Sequence, residues 1–128
     1  MKVLLDTCAF LWIVLDAPEL SENARGARMA PDNEFYLSVV SVWEIGLKYG
    51  AGKLKLPQDP AQYIHYARTL HGIRDLPLDE ATVLTLSRLP KLHRDPFDRM
   101  LVCQAITHGL TILTPDPQLR QYPVQTHW

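Results

Sequence analysis

At 128 residues the chain is long enough to bury one hydrophobic core and short for more than one domain. Apolar residues make up 47% and charged residues 21%, which excludes a disordered segment, and a net charge of −1 excludes nucleic-acid binding by bulk charge, so any such site is local. Two cysteines, Cys8 and Cys103, both in apolar surroundings, exclude a disulfide framework and read as reduced, buried thiols of a cytoplasmic protein.

The opening stretch MKVLLDTCAF places an acid at position 6, which interrupts any signal-peptide core, and no apolar run approaches a membrane span. Lys2 to Leu5 reads as a short buried strand ended by Asp6. Thr7 to Leu15 reads as a helix with Phe10, Leu11, Val14 and Leu15 on one face, broken by Ala17-Pro18. Ser21 opens a second helix to about Ala30, and Pro31-Asp32-Asn33 is a turn. Glu34 to Val39 is strand-like, and Ser41 to Tyr49 is helical, ending at Gly50-Ala51-Gly52. Ala61 to Leu70 is a further helix closed by His71-Gly72.

Ile73 to Leu78 reads as a third strand, and Asp79 caps a helix to about Leu89. Pro90 to Arg94 is a basic loop. Asp95-Pro96 is then an N-cap followed by proline at the first helical position, and the helix runs to His108-Gly109. Leu110 to Leu113 is an apolar strand, Asp116-Pro117 repeats the cap-then-proline signal, and Val124 to Thr126 reads as a final edge strand. Strands alternate with helices throughout, which predicts an α/β fold: a three-layer α/β/α sandwich with a mostly parallel central sheet, as one domain over 1–128.

In such folds ligands gather outside the carboxyl ends of the strands. Four acids fall at that edge. Asp6 follows the first strand, Glu44 lies in the first turn of the helix after the second, Asp98 opens the helix before the strand at Leu110, and Asp116 follows that strand. Each has a bland role as well: Asp6 and Asp116 as caps, Asp98 as a complement to the helix dipole, and Glu44 as the partner of Ser41 in a capping box. The joint pattern argues for more. At about 4 Å and an effective dielectric of about 20, two like charges cost about 4 kcal/mol, and a hard divalent cation removes that cost. An all-oxygen donor set selects magnesium or manganese, and no cluster of histidine and cysteine with zinc spacing exists.

Four segments together carry a resemblance: LLDTCAFLW at the start, SVVSVWEIGLKYGAGKLKL from Ser38, HRDPFDRMLVCQA from His93, and LTILTPDPQLRQYPV from Leu110. In order and spacing, over almost the whole chain, they resemble PIN-domain ribonucleases of the VapC toxin type. Cys103 stands where a small alanine is common, and Pro115 lies between Thr114 and Asp116; neither removes an acid.

The resemblance implies a single PIN domain with metal-binding, catalytic acids at Asp6, Glu44, Asp98 and Asp116, a Mg2+ or Mn2+ cofactor, and hydrolysis of RNA to 5′-phosphate and 3′-hydroxyl products. Asp95 is then an additional acid acting as a cap or supporting group. Thr7, Ser38, Ser41 and Thr114 sit beside the acids and are placed to orient them or water, although each is also an ordinary strand-end or cap residue. Arg94 and Arg99 flank the central stretch and are candidates to touch the RNA phosphates, with Lys91, His93, Lys48, Lys53 and Lys55 nearby; a plain solvated face is the simpler reading of Lys53 and Lys55. Trp12 and Trp43 read as core or subunit interface. The resemblance further implies a small antitoxin protein that covers the acidic site, and a homodimer.

Two other acid-based families do not fit. A haloacid-dehalogenase-like phosphatase needs a second aspartate two residues after the first, where Cys8 stands, and a receiver domain needs an acidic pair and a phosphoacceptor at a middle strand, neither of which is present. The alternative from another class is a catalytically silent PIN-like module that binds RNA or protein.

Overall fold

The computed structural model describes residues 1–128. In chain order the elements are β1 (Lys2–Leu5), α1 (Thr7–Leu15), α2 (Glu22–Met29), β2 (Glu34–Ser38), α3 (Val39–Gly50), α4 (Pro60–His71), β3 (Arg74–Leu76), α5 (Glu80–Leu84) continued by a 3-10 turn (Thr85–Arg88), α6 (Pro96–His108), β4 (Thr111–Leu113), α7 (Pro117–Arg120) and β5 (Thr126–His127). The five strands form one sheet in the order β3-β2-β1-β4-β5, and every pairing is parallel. Leu4 pairs with Tyr36 on one side and Ile112 on the other, so β1 is the central strand.

A central strand buried on both faces must be apolar at every position, and Val3, Leu4 and Leu5 have no exposed surface. Val3 and Leu5 face one layer, with Phe10 and Ile13 of α1, Ala24 of α2 and Ile64 and Ala67 of α4. Leu4 faces the other, with Ile112, Leu101, Val102 and Ala105 of α6, Leu119 of α7 and Tyr122. Helix α3 supplies Ile45 to the first cluster and Val40 to the second, closing the end of the sheet where the strands finish. The alternating α/β sandwich expected from the sequence is the fold observed. No helix is long and apolar enough to cross a membrane.

Five local expectations are corrected. Helix α3 begins at Val39, two residues early, because the Ser38 hydroxyl accepts from the Val40 amide at 3.0 Å and caps it. Ser41 therefore lies inside the helix, forms no capping box, and Glu44 stands beyond the first turn. The helix expected from Asp79 to Leu89 is α-helical only to Leu84 and then tightens into the 3-10 turn, where the Thr85 and Ser87 hydroxyls bond back to the carbonyls of Thr82 and Leu84. The third strand is three residues, ending before Pro77, and the last is Thr126–His127 rather than Val124 to Thr126. Cys103 is buried as expected, but Cys8 is exposed, on the part of α1 that lies near Asp6 and Glu44.

Candidate active site

The strand order reverses between β1 and β4, and the crevice of a parallel sheet opens at such a point. Asp6 and Thr114 end those two strands. Asp6 is both a helix cap and more than a cap: Oδ1 accepts from the Ala9 amide at 2.7 Å, and Oδ2 accepts the Thr114 hydroxyl. Thr114 Oγ1 in turn accepts from the Asp116 amide at 3.0 Å. Asp116 caps α7 through Oδ1, which accepts from Gln118 at 2.9 Å. The short TPDP segment thus ties two acids to one threonine.

Glu44 is buried, 6% exposed, and both its oxygens are engaged. Oε1 accepts the Thr7 hydroxyl at 2.6 Å, and Oε2 lies 2.6 Å from the Lys48 ammonium. On the opposite wall Asp95 caps α6, accepting from Phe97 and Asp98 at 2.9 and 3.3 Å. Asp98 is half-buried at the third helical position and approaches His93, whose Nε2 lies 3.5 Å from Oδ2.

The electrostatics show that these acids share one region. Burial pushes the Asp98 carboxyl up to about 8, and Asp95, Asp6, Asp116 and Glu44 each push it further in the same direction. Burial likewise pushes Asp6 up to about 6, opposed by its Thr114 and Ala9 hydrogen bonds and reinforced by Asp116 and Glu44. Partial burial of the thiol, followed by the charges of Asp6 and Glu44, pushes Cys8 up to about 11. The cluster is thus acidic and partly dry, relieved at Glu44 by Lys48, and its donors are the oxygens that a hard cation takes. The side chains as they lie are not drawn into a closed set: no three His, Cys, Asp or Glu groups are near enough together to grip an ion.

The supporting residues divide. Thr7 and Thr114 hold Glu44 and Asp6 directly. Ser41 is buried, and its hydroxyl has no partner among these acids or elsewhere. Ser38 donates to Gln104 at 2.5 Å, and Gln104 donates to the Pro77 carbonyl at 3.3 Å. Arg99 does not pair with Asp98; it donates to the Leu89 carbonyl at 3.3 Å, with its buried Nε unpartnered. With Lys91, Leu92, His93 and Arg94 it lines a cleft of about 490 Å3 beside the acids. Trp43 is not core: it is exposed on α3, with its ring edge-on to Phe97 at 4.8 Å. Trp12 is partly buried against Trp128.

Three participants escaped the sequence reading. Gln104, fully buried in an apolar helix, stands out only once its neighbours are known. Tyr122 bonds His93 at 2.7 Å from a segment far along the chain. The Glu44–Lys48 pair was detectable, because a glutamate four residues before a lysine on a helix is a favoured ion-pair spacing.

The model of the PIN domain family matches residues 3–125. Among solved structures the chain is similar to VapBC2 from Rickettsia felis bound to a DNA fragment from its promoter, at 15% identity and TM-score 0.72, covering 98% of this chain and 97% of that one. It is similar to VapBC-1 from nontypeable Haemophilus influenzae at 19% identity and TM-score 0.67, covering 98% and 96%. It is also similar to DNA-bound VapBC from Salmonella typhimurium at 17% identity and TM-score 0.66, covering 98% and 96%. Among curated proteins no sequence relative matches the chain.

Proposed function

Because the chain belongs to the PIN domain family, we propose that it is a metal-dependent endoribonuclease, the toxin of a type II toxin–antitoxin pair acting in the cytoplasm. One observation carries the reading: at the sheet's switch point the Asp6 and Asp98 carboxyls, from separate elements, are both pushed up by burial and by the charges of Asp116 and Glu44 beside them. In this reading Asp6, Glu44, Asp98 and Asp116 hold Mg2+ or Mn2+ and are the catalytic acids, and Asp95 supports Asp98 as its cap. The bound cation supplies Lewis acidity to the scissile phosphate and to water.

The chain's own residues do the rest. Thr114 and Thr7 fix the rotamers of Asp6 and Glu44. Burial on β1 and α3 keeps water from relaxing the acids. Arg94 and Arg99, with Lys91, give the RNA backbone a cationic wall next to an otherwise acidic floor. Glu44 is placed to take a proton once Lys48 has moved away. The whole of 1–128 acts as one PIN domain. An antitoxin segment over the acids and a second copy of the chain are the partners this reading calls for; the likeness to VapBC structures supports it by fold.

A second reading has one observation in its favour. The Lys48 ammonium already neutralises Glu44, and the acids are not gathered around a common point, as a silent RNA- or protein-binding module would have them. Incubating the purified chain with a mixed RNA pool in manganese, magnesium or EDTA, beside Asp6→Asn and Asp98→Asn, separates the two. Cleavage that needs both the metal and both carboxylates is the expected result. Absence of manganese binding by calorimetry, together with absence of cleavage, would sink the nuclease reading in favour of the silent module.

A further inference from the structure

Asp98 sits where the fields of the other acids meet, and the side chain that approaches its Oδ2 with a nitrogen is His93, at 3.5 Å. The other end of that imidazole is fixed. Nδ1 meets the Tyr122 hydroxyl at 2.7 Å, and the two rings pack edge to face with centroids 5.4 Å apart. Tyr122 is 3% exposed and belongs to the core layer that includes Ile112 and Leu119. A tyrosine hydroxyl that donates to Nδ1 leaves the ring proton on Nε2, the nitrogen that lies nearest the Asp98 carboxylate. Nε2 is itself buried and has no formed hydrogen bond, a costly state for a polar atom that a small closure toward Oδ2 relieves. Such bonds are often long in a free enzyme and tighten on loading.

We propose that His93, anchored by Tyr122, is a positioning residue that fixes the orientation of the Asp98 carboxylate. The proposal rests on the reading of Asp98 as a metal ligand. Carboxylates that bind metals are themselves held by hydrogen bonds, and losing such a partner typically weakens metal binding by about 10–100-fold. The Tyr122–His93–Asp98 chain joins the C-terminal segment to the first turn of α6, so it holds the acid from outside its own helix.

The test titrates manganese by calorimetry into metal-free wild type, His93→Leu, His93→Gln and Tyr122→Phe, with circular dichroism as the check on folding. Glutamine can place an N–H near the Nε2 position, whereas leucine keeps only bulk. The expected result is a loss of about 10–100-fold in His93→Leu, an intermediate loss in Tyr122→Phe, and recovery to within about threefold of wild type in His93→Gln. Wild-type affinity in His93→Leu overturns the proposal, as does an equal loss in the leucine and glutamine variants. If His93→Leu does not fold, wild-type affinity in Tyr122→Phe overturns it. The imidazole 15N resonances are recorded in parallel for wild type and Asp98→Asn. If wild type binds no manganese, the metal reading itself falls and these resonances decide the positioning role. A single Nε2–H tautomer whose shift moves in Asp98→Asn sustains it, and a tautomer mixture indifferent to Asp98→Asn overturns it.

Discussion

Lys48 holds its ammonium 2.6 Å from Oε2 of Glu44, one helical turn away, while Thr7 takes the other oxygen. The hydrogen bond to Glu44 raises the Lys48 pKa, so the ammonium stays charged across the working range. A cation that draws on Glu44 competes with it. A pair whose lysine is half exposed is worth about 1 kcal/mol or less, so Lys48→Met is expected to tighten manganese binding about two- to fivefold. Calorimetry reads this directly. Weaker binding in the variant would show that Lys48 supports the site instead.

The raised carboxyls make the metal-free fold sensitive to alkali. Asp98 and Asp6 move from 3.8 to about 8 and about 6, so the folded chain keeps protons that the unfolded chain releases. Their contribution to stability is fully present below about pH 4 and is lost as pH rises through those values. In EDTA, Asp98→Asn is therefore expected to flatten the fall in Tm between about pH 5 and pH 8. At the upper end the variant exceeds wild type by several degrees, at about 4 °C per kcal/mol. Parallel Tm curves for the two proteins would show that the acids do not strain the fold.

Thr114 serves two acids at once, donating to Asp6 and accepting from the Asp116 amide. Thr114→Val keeps the shape and removes both bonds, leaving a buried carboxylate oxygen without its donor. The expected loss is about 1–3 kcal/mol of stability by urea unfolding, with RNA cleavage reduced more than the folded fraction is. A variant with unchanged stability would mean that water replaces the hydroxyl.

Gln104 offers a control for stability without chemistry. Gln104→Leu leaves the fully buried Ser38 hydroxyl without its acceptor and the Pro77 carbonyl, at the surface, without its donor. A cost of about 1–3 kcal/mol is expected, with manganese affinity unchanged, as read by urea unfolding and calorimetry. Altered metal affinity would place Gln104 closer to the function than its contacts do.

Arg99 separates RNA binding from metal binding. Arg99→Gln removes the charge from the cleft together with the long donor to the Leu89 carbonyl. Manganese affinity should hold within twofold, while the KM for RNA rises and becomes less salt-dependent, because about one phosphate contact is lost. An unchanged KM would assign Arg99 to holding the loop that precedes α6.

The layer architecture was legible because the apolar runs Val3–Leu5 and Ile112–Leu113, with helices between, leave few alternatives to a covered parallel sheet. Caps at Asp6, Asp95 and Asp116 were legible for the same kind of local reason. The start of α3 was not, because Ser38 and Ser41 both look like caps and only the end of β2 decides between them. Cys8 was misjudged because an apolar neighbourhood in sequence does not say which side of a helix is covered. Long-range partners were out of reach: Thr114 to Asp6, Ser38 to Gln104 and His93 to Tyr122 are 108, 66 and 29 residues apart. Periodicity carries no information about who meets whom across the sheet.

The pairing of β1 with β4 also has a consequence in time. Asp6 is made well before the strand that pairs beside it, and the threonine that grips it follows 108 residues later. Until β4 docks, the central strand lacks one neighbour, α6 has only part of its sheet to lie on, and Asp6 lacks the hydroxyl that holds it. A growing or prematurely ended chain therefore holds the carboxylates without the crevice. By this geometry, whatever chemistry the cluster performs waits until β4 and Thr114 have been made and have docked beside β1.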